Sequence, residues 1–237
     1  MDDEKKKKVI NLYKEKTKKE CYKIEFEEGE PSIMDNKIGG KPYLPIGEAY
    51  PTGKNGEKLP LLFQVNLKNI DLEGYPQEGI LEFFMGDDYP CEYKIKYFKD
   101  IQEYQENVES YKLSISSVDS FKVKLTKSVE YMPINDYRFE KTISPIVSEI
   151  FPDNIDCDWN LVMEEALPNL KWSFGGYADF TQADPRLYED RGDECLLKID
   201  SYNQIEIGDA GIVSVLISKK DIENNKFENG KLDWDCG

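Results

Sequence analysis

The stretch Gly39-Gly40-Lys41-Pro42-Tyr43-Leu44-Pro45 has a counterpart later in the chain, Gly175-Gly176-Tyr177-Ala178-Asp179-Phe180-Thr181. Each stretch is followed by an apolar run and then by a second apolar run that a glycine opens, at 62–66 and 79–84 in the first copy and at 196–200 and 211–216 in the second. The offset between the copies drifts only from 136 through 134 to 132 residues, as small gaps in connecting loops would produce. Three landmarks in a fixed order predict an internal duplication.

Alternation of apolar and polar side chains predicts that the chain is rich in strands. Segments 22–26 and 119–132 alternate apolar and polar residues, which is typical of an antiparallel sheet with one face in water. Helices are predicted at 3–19, which is rich in lysine, and at 159–167, where Asp158 is a candidate N-cap. We therefore expect an α+β protein that is strand-rich, with mainly antiparallel sheets, a few short helices and two related halves.

The landmarks also predict how the chain is organised. We expect residues 1–36 to form an N-terminal helix and strand, and 37–135 to form the first half-repeat. Residues 136–172 are interpreted as a connection, and 173–237 as the second half-repeat. A chain of 237 residues can bury one substantial core, so all four segments are expected to form one compact unit.

The formal net charge of −16 indicates which partners the chain can attract. Such a surface repels phosphate backbones, so nucleic-acid binding is not expected, whereas a basic protein is attracted. Solubility alone is the ordinary explanation of this charge. No apolar run approaches the roughly 20 residues that a transmembrane helix needs, and the lysine-rich start has no apolar stretch typical of a secretory signal. We expect a cytoplasmic protein that does not bind membranes.

The residue types that are missing exclude several classes of enzyme. The chain has no histidine, which excludes Ser-His-Asp and Cys-His mechanisms and histidine-based zinc sites. Its five cysteines include no Cys-x-x-Cys pair, so we expect reduced thiols and no bound zinc. Neither double glycine belongs to a Gly-x-Gly-x-x-Gly motif, so no dinucleotide site is predicted. We expect no cofactor and no enzymatic activity.

Four aspartates of the second half form the most prominent polar set: Asp179, Asp184, Asp200 and Asp209. Carboxylates of this kind can hold Mg²⁺ or Ca²⁺ or act in general acid–base catalysis. The alternative is that they accept backbone N–H bonds in turns, which the lack of EF-hand spacing favours.

Loop 177–186 contributes two further polar residues, Gln182 and Arg186. Arg186 can clamp a carboxylate or phosphate, or it can pair internally with Asp184. The candidate residues for binding a ligand or partner are Asp179, Gln182, Asp184, Arg186, Asp200 and Asp209. We expect the side chains of Asp184, Arg186, Asp200 and Asp209 to converge on one polar cleft if they form a site.

Several short blocks between residues 37 and 236 carry a family resemblance. They are Lys37-Ile38-Gly39-Gly40-Lys41-Pro42-Tyr43-Leu44-Pro45, Gly79-Ile80-Leu81, Gly175-Gly176-Tyr177, Leu196-Leu197-Lys198-Ile199-Asp200-Ser201, Gly208-Asp209-Ala210-Gly211 and Trp234-Asp235-Cys236. On these blocks the chain resembles the YwqG-like bacterial proteins, a domain family of unknown function. Lys198 is a departure, because the family usually has glutamine there.

The resemblance implies a bacterial cytoplasmic protein and supplies no activity. Proteins similar to this chain occur among candidate immunity proteins of contact-dependent toxin systems, which implies a binding role. The expected function is therefore a non-enzymatic binding or interaction protein, of the immunity type, that neutralises a basic toxin. The alternative is a small-ligand-binding or metal-dependent enzyme that uses Asp184, Asp200 and Asp209.

Overall fold

A computed structural model describes residues 2–87, 91–153 and 157–237 of the chain. Its helices and strands, in chain order, are α1 (Asp3–Thr17), β1 (Lys19–Glu27), β2 (Lys37–Gly39), β3 (Leu61–Asn66), β4 (Ile80–Met85), β5 (Tyr93–Phe98), β6 (Ser120–Glu130), α2 (Phe139–Ile150), α3 (Trp159–Ala166), β7 (Trp172–Gly175), β8 (Glu194–Asp200), β9 (Ile212–Ile217), α4 (Lys219–Glu223) and β10 (Lys231–Asp235). Single turns of 3-10 helix lie at Pro185–Leu187 and Phe227–Asn229.

These strands form one ten-stranded sheet in the order β10-β9-β8-β7-β1-β6-β2-β3-β4-β5. Every neighbouring pair is antiparallel. β1 and β6 form a long central pair, in register from Lys19 opposite Glu130 to Glu27 opposite Lys122. The prediction of a strand-rich, antiparallel α+β fold with a few short helices is confirmed.

The strand order is mirrored about the β1–β6 pair. β7, β8, β9 and β10 follow β1 on one side, and β2, β3, β4 and β5 follow β6 on the other. The apolar runs 62–66 and 196–200 lie in β3 and β8, each two places from the central pair. Both strands have a register irregularity, between Leu61 and Phe63 and between Cys195 and Leu197. An internal duplication predicts equivalent positions of this kind for β3 and β8. The duplication itself remains a prediction.

The sheet curls around the main hydrophobic core. Phe63 lies in this core between Phe83 and Phe174, with ring centroids 6.1 and 6.4 Å away. The curl brings the segment before β10 against the far edge of the sheet, where Phe227 packs on Tyr97 of β5 with 5.1 Å between ring centroids. Side chains on the inside of the curve are therefore removed from water, which is the main driving force for this fold.

A second, smaller core joins α1, α2 and α3. α2 lies within residues 136–172, the predicted connection, with Pro145 inside the helix and Pro152 two residues beyond its end. Its buried residues recur every three or four positions, as one face of a helix requires: Phe139, Ile143, Ile146 and Ile150. Packing of this apolar face compensates for the backbone hydrogen bond that Pro145 cannot donate.

Two short helices begin with side-chain N-caps, and the cap at Asp158 is the predicted one. The Asp158 carboxylate accepts the N–H of Leu161 at 3.2 Å at the start of α3, and the Ser218 hydroxyl accepts the N–H of Asp221 at 3.1 Å at the start of α4. Within the described ranges, no helix has both the length and the apolar character needed to cross a membrane.

The five cysteines are unpaired in the structure. Cys21 and Cys195 are buried, and burial raises the pKa of each thiol to about 12. Thiols held in the protonated form are poor nucleophiles, so these two residues behave as small apolar side chains.

Three buried polar residues, Lys37, Gln64 and Glu82, lie beside the first double-glycine turn. Side-chain oxygens of Glu82 and Gln64 accept the N–H of Tyr43 at 2.7 and 3.0 Å. Lys37 donates to two backbone carbonyls, and burial lowers its pKa to about 8. Glu82 is fully buried, and its second oxygen has no hydrogen-bond partner among the described residues. Burial therefore raises the pKa of Glu82 well above its ordinary value, despite the Tyr43 hydrogen bond and nearby Lys37.

Glu82→Gln is expected to stabilise the protein increasingly as the pH rises. Because the folded-state pKa is raised above the unfolded value of about 4.3, the folded protein keeps a proton that the unfolded chain releases. Wild-type stability therefore falls as the pH rises toward the folded-state pKa, whereas the neutral amide keeps the Tyr43 hydrogen bond without that loss.

Urea unfolding of both proteins between about pH 5 and pH 8 measures this difference. The free-energy gain of the variant should grow with pH, and Glu228→Gln, at an exposed position, should show no such trend. A gain that stays constant over this pH range would contradict the assignment of the raised pKa to Glu82.

Candidate functional site

The second double-glycine turn depends on a buried carboxylate behind it. Gly175 and Gly176 have φ angles of 75° and 83°, a region that favours glycine. A side chain at position 176 would overlap the carboxylate of Glu130, whose Oε2 accepts the N–H of Tyr177 at 2.9 Å. The turn therefore needs glycine both for its backbone angles and for the close approach of Glu130.

Glu130 also forms a buried ion pair with Lys198 of β8. The distance from Lys198 Nζ to Glu130 Oε1 is 2.8 Å, and each side chain is 3 % exposed. Burial acts to lower the pKa of Lys198, but the carboxylates of Glu130 and Asp179 outweigh it and raise the pKa. Lys198 is therefore a permanent cation inside the protein, and the pair joins the end of β6 to the middle of β8.

Asp179 is held close to this pair by neutral donors. Its Oδ2 accepts a bond from the Asn169 amide at 2.9 Å, and its Oδ1 accepts the N–H of Phe180 at 3.0 Å. The Asn135 amide also donates to Oδ1, at 3.4 Å. Asp179 is 8 % exposed, so it is a nearly buried carboxylate without a lysine or arginine in an ion pair with it among the described residues.

These residues line a cavity of about 110 Å³, called the acidic cavity below. Its polar wall consists of Glu130, Asn135, Glu164, Asn169, Tyr177, Asp179 and Lys198, and its apolar wall includes Pro133, Ile134, Leu167 and Pro168. Three carboxylates in this wall, Glu130, Glu164 and Asp179, face one ammonium group, that of Lys198. The excess negative charge favours a positively charged group in the cavity.

Arg186 belongs to a separate buried cluster. Its Nη2 lies 2.6 Å from Asp184 Oδ2 and 3.0 Å from Asp136 Oδ2, and its side chain is 4 % exposed. The guanidinium also lies over the ring of Tyr137, 4.9 Å from the centroid. The internal Asp184–Arg186 pair, one of the two alternatives for Arg186, is present, and Tyr137 N–H donates to Asp184 as well.

Asp136 is shared between two arginines. Arg138 donates to its two oxygens at 2.8 and 2.7 Å, and Arg186 provides the third contact. Burial acts to raise the pKa of Asp136, but the hydrogen bonds and charges of the two guanidinium groups outweigh it and hold the pKa below its ordinary value. This network fixes the start of α2 against loop 177–186.

The remaining predicted residues have partners of their own. Gln182 is bonded to the chain end, because its N–H donates to Asp235 at 2.9 Å and its Nε2 donates to the C=O of Cys236 at 2.7 Å. Asp200 pairs with Lys171 at 2.6 Å. The C=O of Asp209 accepts the N–H of Gly237 at 3.2 Å.

Direct contacts join two of the four side chains that are expected to converge, and for Asp200 and Asp209 the convergence remains a prediction. Asp184 and Arg186 are bonded to each other, whereas no hydrogen bond or ion pair among residues 2–87, 91–153 and 157–237 joins Asp200 or Asp209 to them. The same ranges contain no group of three or more Cys, Asp or Glu side chains arranged to hold a metal ion. A ligand-binding role for the six candidate residues remains a prediction, and Asp179 is the one that lines the acidic cavity.

Sequence reasoning missed Glu130, Lys198 and Asp136 as parts of these clusters. Lys198 carried a signal, because it interrupts the apolar run of a buried strand. Glu130 carried none, since a polar residue at the end of an alternating strand is ordinarily exposed. Asp136 also lacked one, because its partner Arg186 is 50 residues away in sequence.

Lys198→Met is expected to cost about 3–5 kcal/mol of folding free energy, because it leaves the charge of Glu130 buried without a partner. Adding Glu130→Gln should recover part of that loss, since no unpaired charge then remains. The matched control is Lys219→Met, which removes the ion pair with Glu73, whose two side chains are 56 % and 88 % exposed, and should cost less than about 1 kcal/mol. Urea unfolding measures all three variants, and equal losses for the two lysine variants would contradict the argument.

A match to a protein family extends over the acidic cavity and the candidate residues. Residues 36–236 match the model of a family described as "Domain of unknown function (DUF1963)", and this range includes the acidic cavity and all six candidate residues. None of the curated proteins matches the chain. Because the match extends over most of its length, the chain belongs to the family described as Domain of unknown function (DUF1963).

Proposed function

We propose that the chain is a non-enzymatic binding protein of the bacterial cytoplasm, similar to the YwqG-like proteins, that neutralises a basic protein as an immunity protein neutralises its toxin. The observation that carries the proposal is the excess of negative charge around the acidic cavity, in a chain of net charge −16. Such a charge attracts a basic partner before contact, and the cavity can accept one of its cationic side chains.

Asp179 and Glu164 are the groups that an incoming cation would meet. Glu130 is already neutralised by Lys198, whereas these two carboxylates have no lysine or arginine in an ion pair among the described residues. Glu164 is exposed at the rim, and Asp179 is nearly buried in the wall. A lysine or arginine side chain would therefore be attracted at the rim and bonded inside, where a charge-assisted hydrogen bond is stronger than in water.

The alternative is a small-ligand or metal-dependent enzyme that uses Asp184, Asp200 and Asp209. Asp184 is bonded to Arg186 and Tyr137, and Asp200 is bonded to Lys171. These internal partners favour a structural role for both carboxylates, which supports the binding protein over the enzyme.

The first test uses the product of the gene that lies next to this one. We expect this protein to bind the chain. Its association rate constant should fall at least about tenfold when the salt concentration rises from roughly 0.02 M to roughly 0.5 M, because ions screen the attraction of a charged surface. Glu164→Gln should slow association further, and Glu206→Gln, which is also exposed, should not. The proposal would be contradicted if no binding occurs, or if the association rate constant changes neither with the salt concentration nor on Glu164→Gln.

A second test isolates the cavity from the partner. Acetyl-arginine amide should bind weakly and shift the amide NMR signals of residues 177–179 and 130–135, whereas acetyl-glutamine amide, which is neutral, should not. Asp179→Asn should lower the affinity for acetyl-arginine amide at least about threefold, because the substitution removes a charge-assisted hydrogen bond. Equal shifts from the two compounds would show that the cavity has no preference for a cation.

A further inference from the structure

The lining of the acidic cavity changes in character with depth. Glu164 and Asn135 are exposed at the rim, whereas Asp179 is 8 % exposed at the base. Three apolar residues of the lining are half-buried and fall between these two levels of exposure: Pro133, Ile134 and Leu167. A side chain that enters from the rim therefore meets a carboxylate, then apolar surface, then a buried carboxylate.

The volume of the cavity is suited to one side chain. It is about 110 Å³, whereas pockets for small-molecule ligands occupy roughly 300–1,000 Å³. A long side chain with an apolar stem and a compact charged tip matches the order of the lining, because the stem covers the apolar residues while the tip reaches Asp179. Lysine and arginine both have such a stem, so the groups at the base decide between them.

Asp179 has little capacity left for further hydrogen bonds, because each carboxylate oxygen accepts about two. Its Oδ1 accepts the N–H of Phe180 at 3.0 Å and a bond from the Asn135 amide at 3.4 Å. Its Oδ2 accepts one bond among the described residues, from the Asn169 amide at 2.9 Å. One place therefore remains, on Oδ2. An ammonium group needs only one, whereas a guanidinium binds a carboxylate best through two parallel bonds, one to each oxygen.

Glu130, the other buried carboxylate of the lining, does not replace Asp179 as the acceptor. Its Oε1 lies 2.8 Å from Lys198 Nζ, and its Oε2 accepts the N–H of Tyr177. A second cation bonded to Glu130 would lie against the ammonium of Lys198, and like charges so close repel each other strongly in a medium of low dielectric constant. An incoming cation is therefore directed to Asp179.

The positive charges around the cavity leave this carboxylate open to a cation. Three cations in the lining or beside it are each held in an ion pair, and the pairs are Lys198–Glu130, Lys19–Glu194 and Arg138–Asp136. Lys14 lies over the ring of Tyr131, 5.4 Å from its centroid. In the described part of the chain, Glu164 and Asp179 are two lining carboxylates without an ion pair, and they outnumber this one lysine, so the site stays negative.

We infer that the acidic cavity receives a lysine side chain of the basic partner and discriminates against arginine. Glu164 attracts the charge at the rim, the methylene groups cover the half-buried apolar residues, and the ammonium group donates to Oδ2 of Asp179. The presence of a basic partner rests on the proposed function. The preference for lysine rests on the size of the cavity and on the acceptors at its base.

The test titrates the full chain with acetyl-lysine amide and acetyl-arginine amide and follows the amide NMR signals of residues 130–135, 164–169 and 177–179. Acetyl-lysine amide should bind at least about fivefold more tightly, because only its charged group finds all the acceptors it needs. Acetyl-ornithine amide, whose stem is one methylene shorter, should bind more weakly than the lysine compound. The lysine compound acetylated at Nε lacks the charge and should not bind.

A matched pair of variants tests why arginine is disfavoured. Asn135→Ala removes one donor from Oδ1 of Asp179, so a guanidinium can then bond to both oxygens, and the ratio of the lysine to the arginine affinity should fall at least about threefold. Asn11→Ala, at an exposed position of α1 outside the cavity, should leave this ratio unchanged. Both asparagines are exposed, so both variants should keep the folded state, which their amide spectra will show.

Several results would overturn the inference. Binding of the arginine compound as tightly as the lysine compound would remove the preference, and binding of the ornithine compound as tightly would show that the stem does not span the apolar residues. An affinity ratio that Asn135→Ala leaves unchanged would show that the acceptors of Asp179 do not select the ligand. Each of these results leaves the proposed function standing. A chain that prefers the lysine compound but does not bind the product of the neighbouring gene would refute the proposed function only.

Discussion

The carboxylate of Glu130 joins three parts of the chain that are distant in sequence. Glu130 ends β6, accepts the N–H of Tyr177 directly after the second double glycine, and pairs with Lys198 in β8. Both side chains of the pair are buried, so the loss of either one leaves an uncompensated charge in a medium of low dielectric constant. The course of loop 177–186, the wall of the acidic cavity and the contact between β6 and β8 all depend on this pair.

The first double-glycine turn also has a buried carboxylate behind it, but that carboxylate has different partners. Glu82 accepts the N–H of Tyr43 after the first double glycine, as Glu130 does for Tyr177, but the nearby Lys37 is bonded to backbone carbonyls. The carboxylate there has one oxygen without a partner among the described residues and favours its protonated form. Of the two carboxylates that accept a tyrosine N–H after a double glycine, Glu130 is bonded to a lysine and Glu82 is not.

The acidic cavity concentrates carboxylates that have no ion-pair partner of their own. Glu164 and Asp179 line it, and within the described ranges neither forms an ion pair with a lysine or an arginine. Asn169, which donates a hydrogen bond to Asp179, also lines the opening beside residues 23–26 of β1, so the segment that leads into β7 borders both openings.

Local pattern was enough to predict most of the longer strands, the α+β class and the cap of α3, because alternation along a strand and capping at a helix start involve residues only a few positions apart. α2 was missed because Pro145 lies inside it and Pro152 follows soon after its end, and its burial against α1 compensates for Pro145. The clusters were beyond local pattern: Glu130 meets Lys198 across 68 residues, and Asp136 meets Arg186 across 50. The sequence by itself determined most of the longer strands and that the protein is acidic. Only the tertiary structure decided which carboxylates are buried, paired or open to a partner, because the order of the strands in the sheet selects the neighbours of each charge.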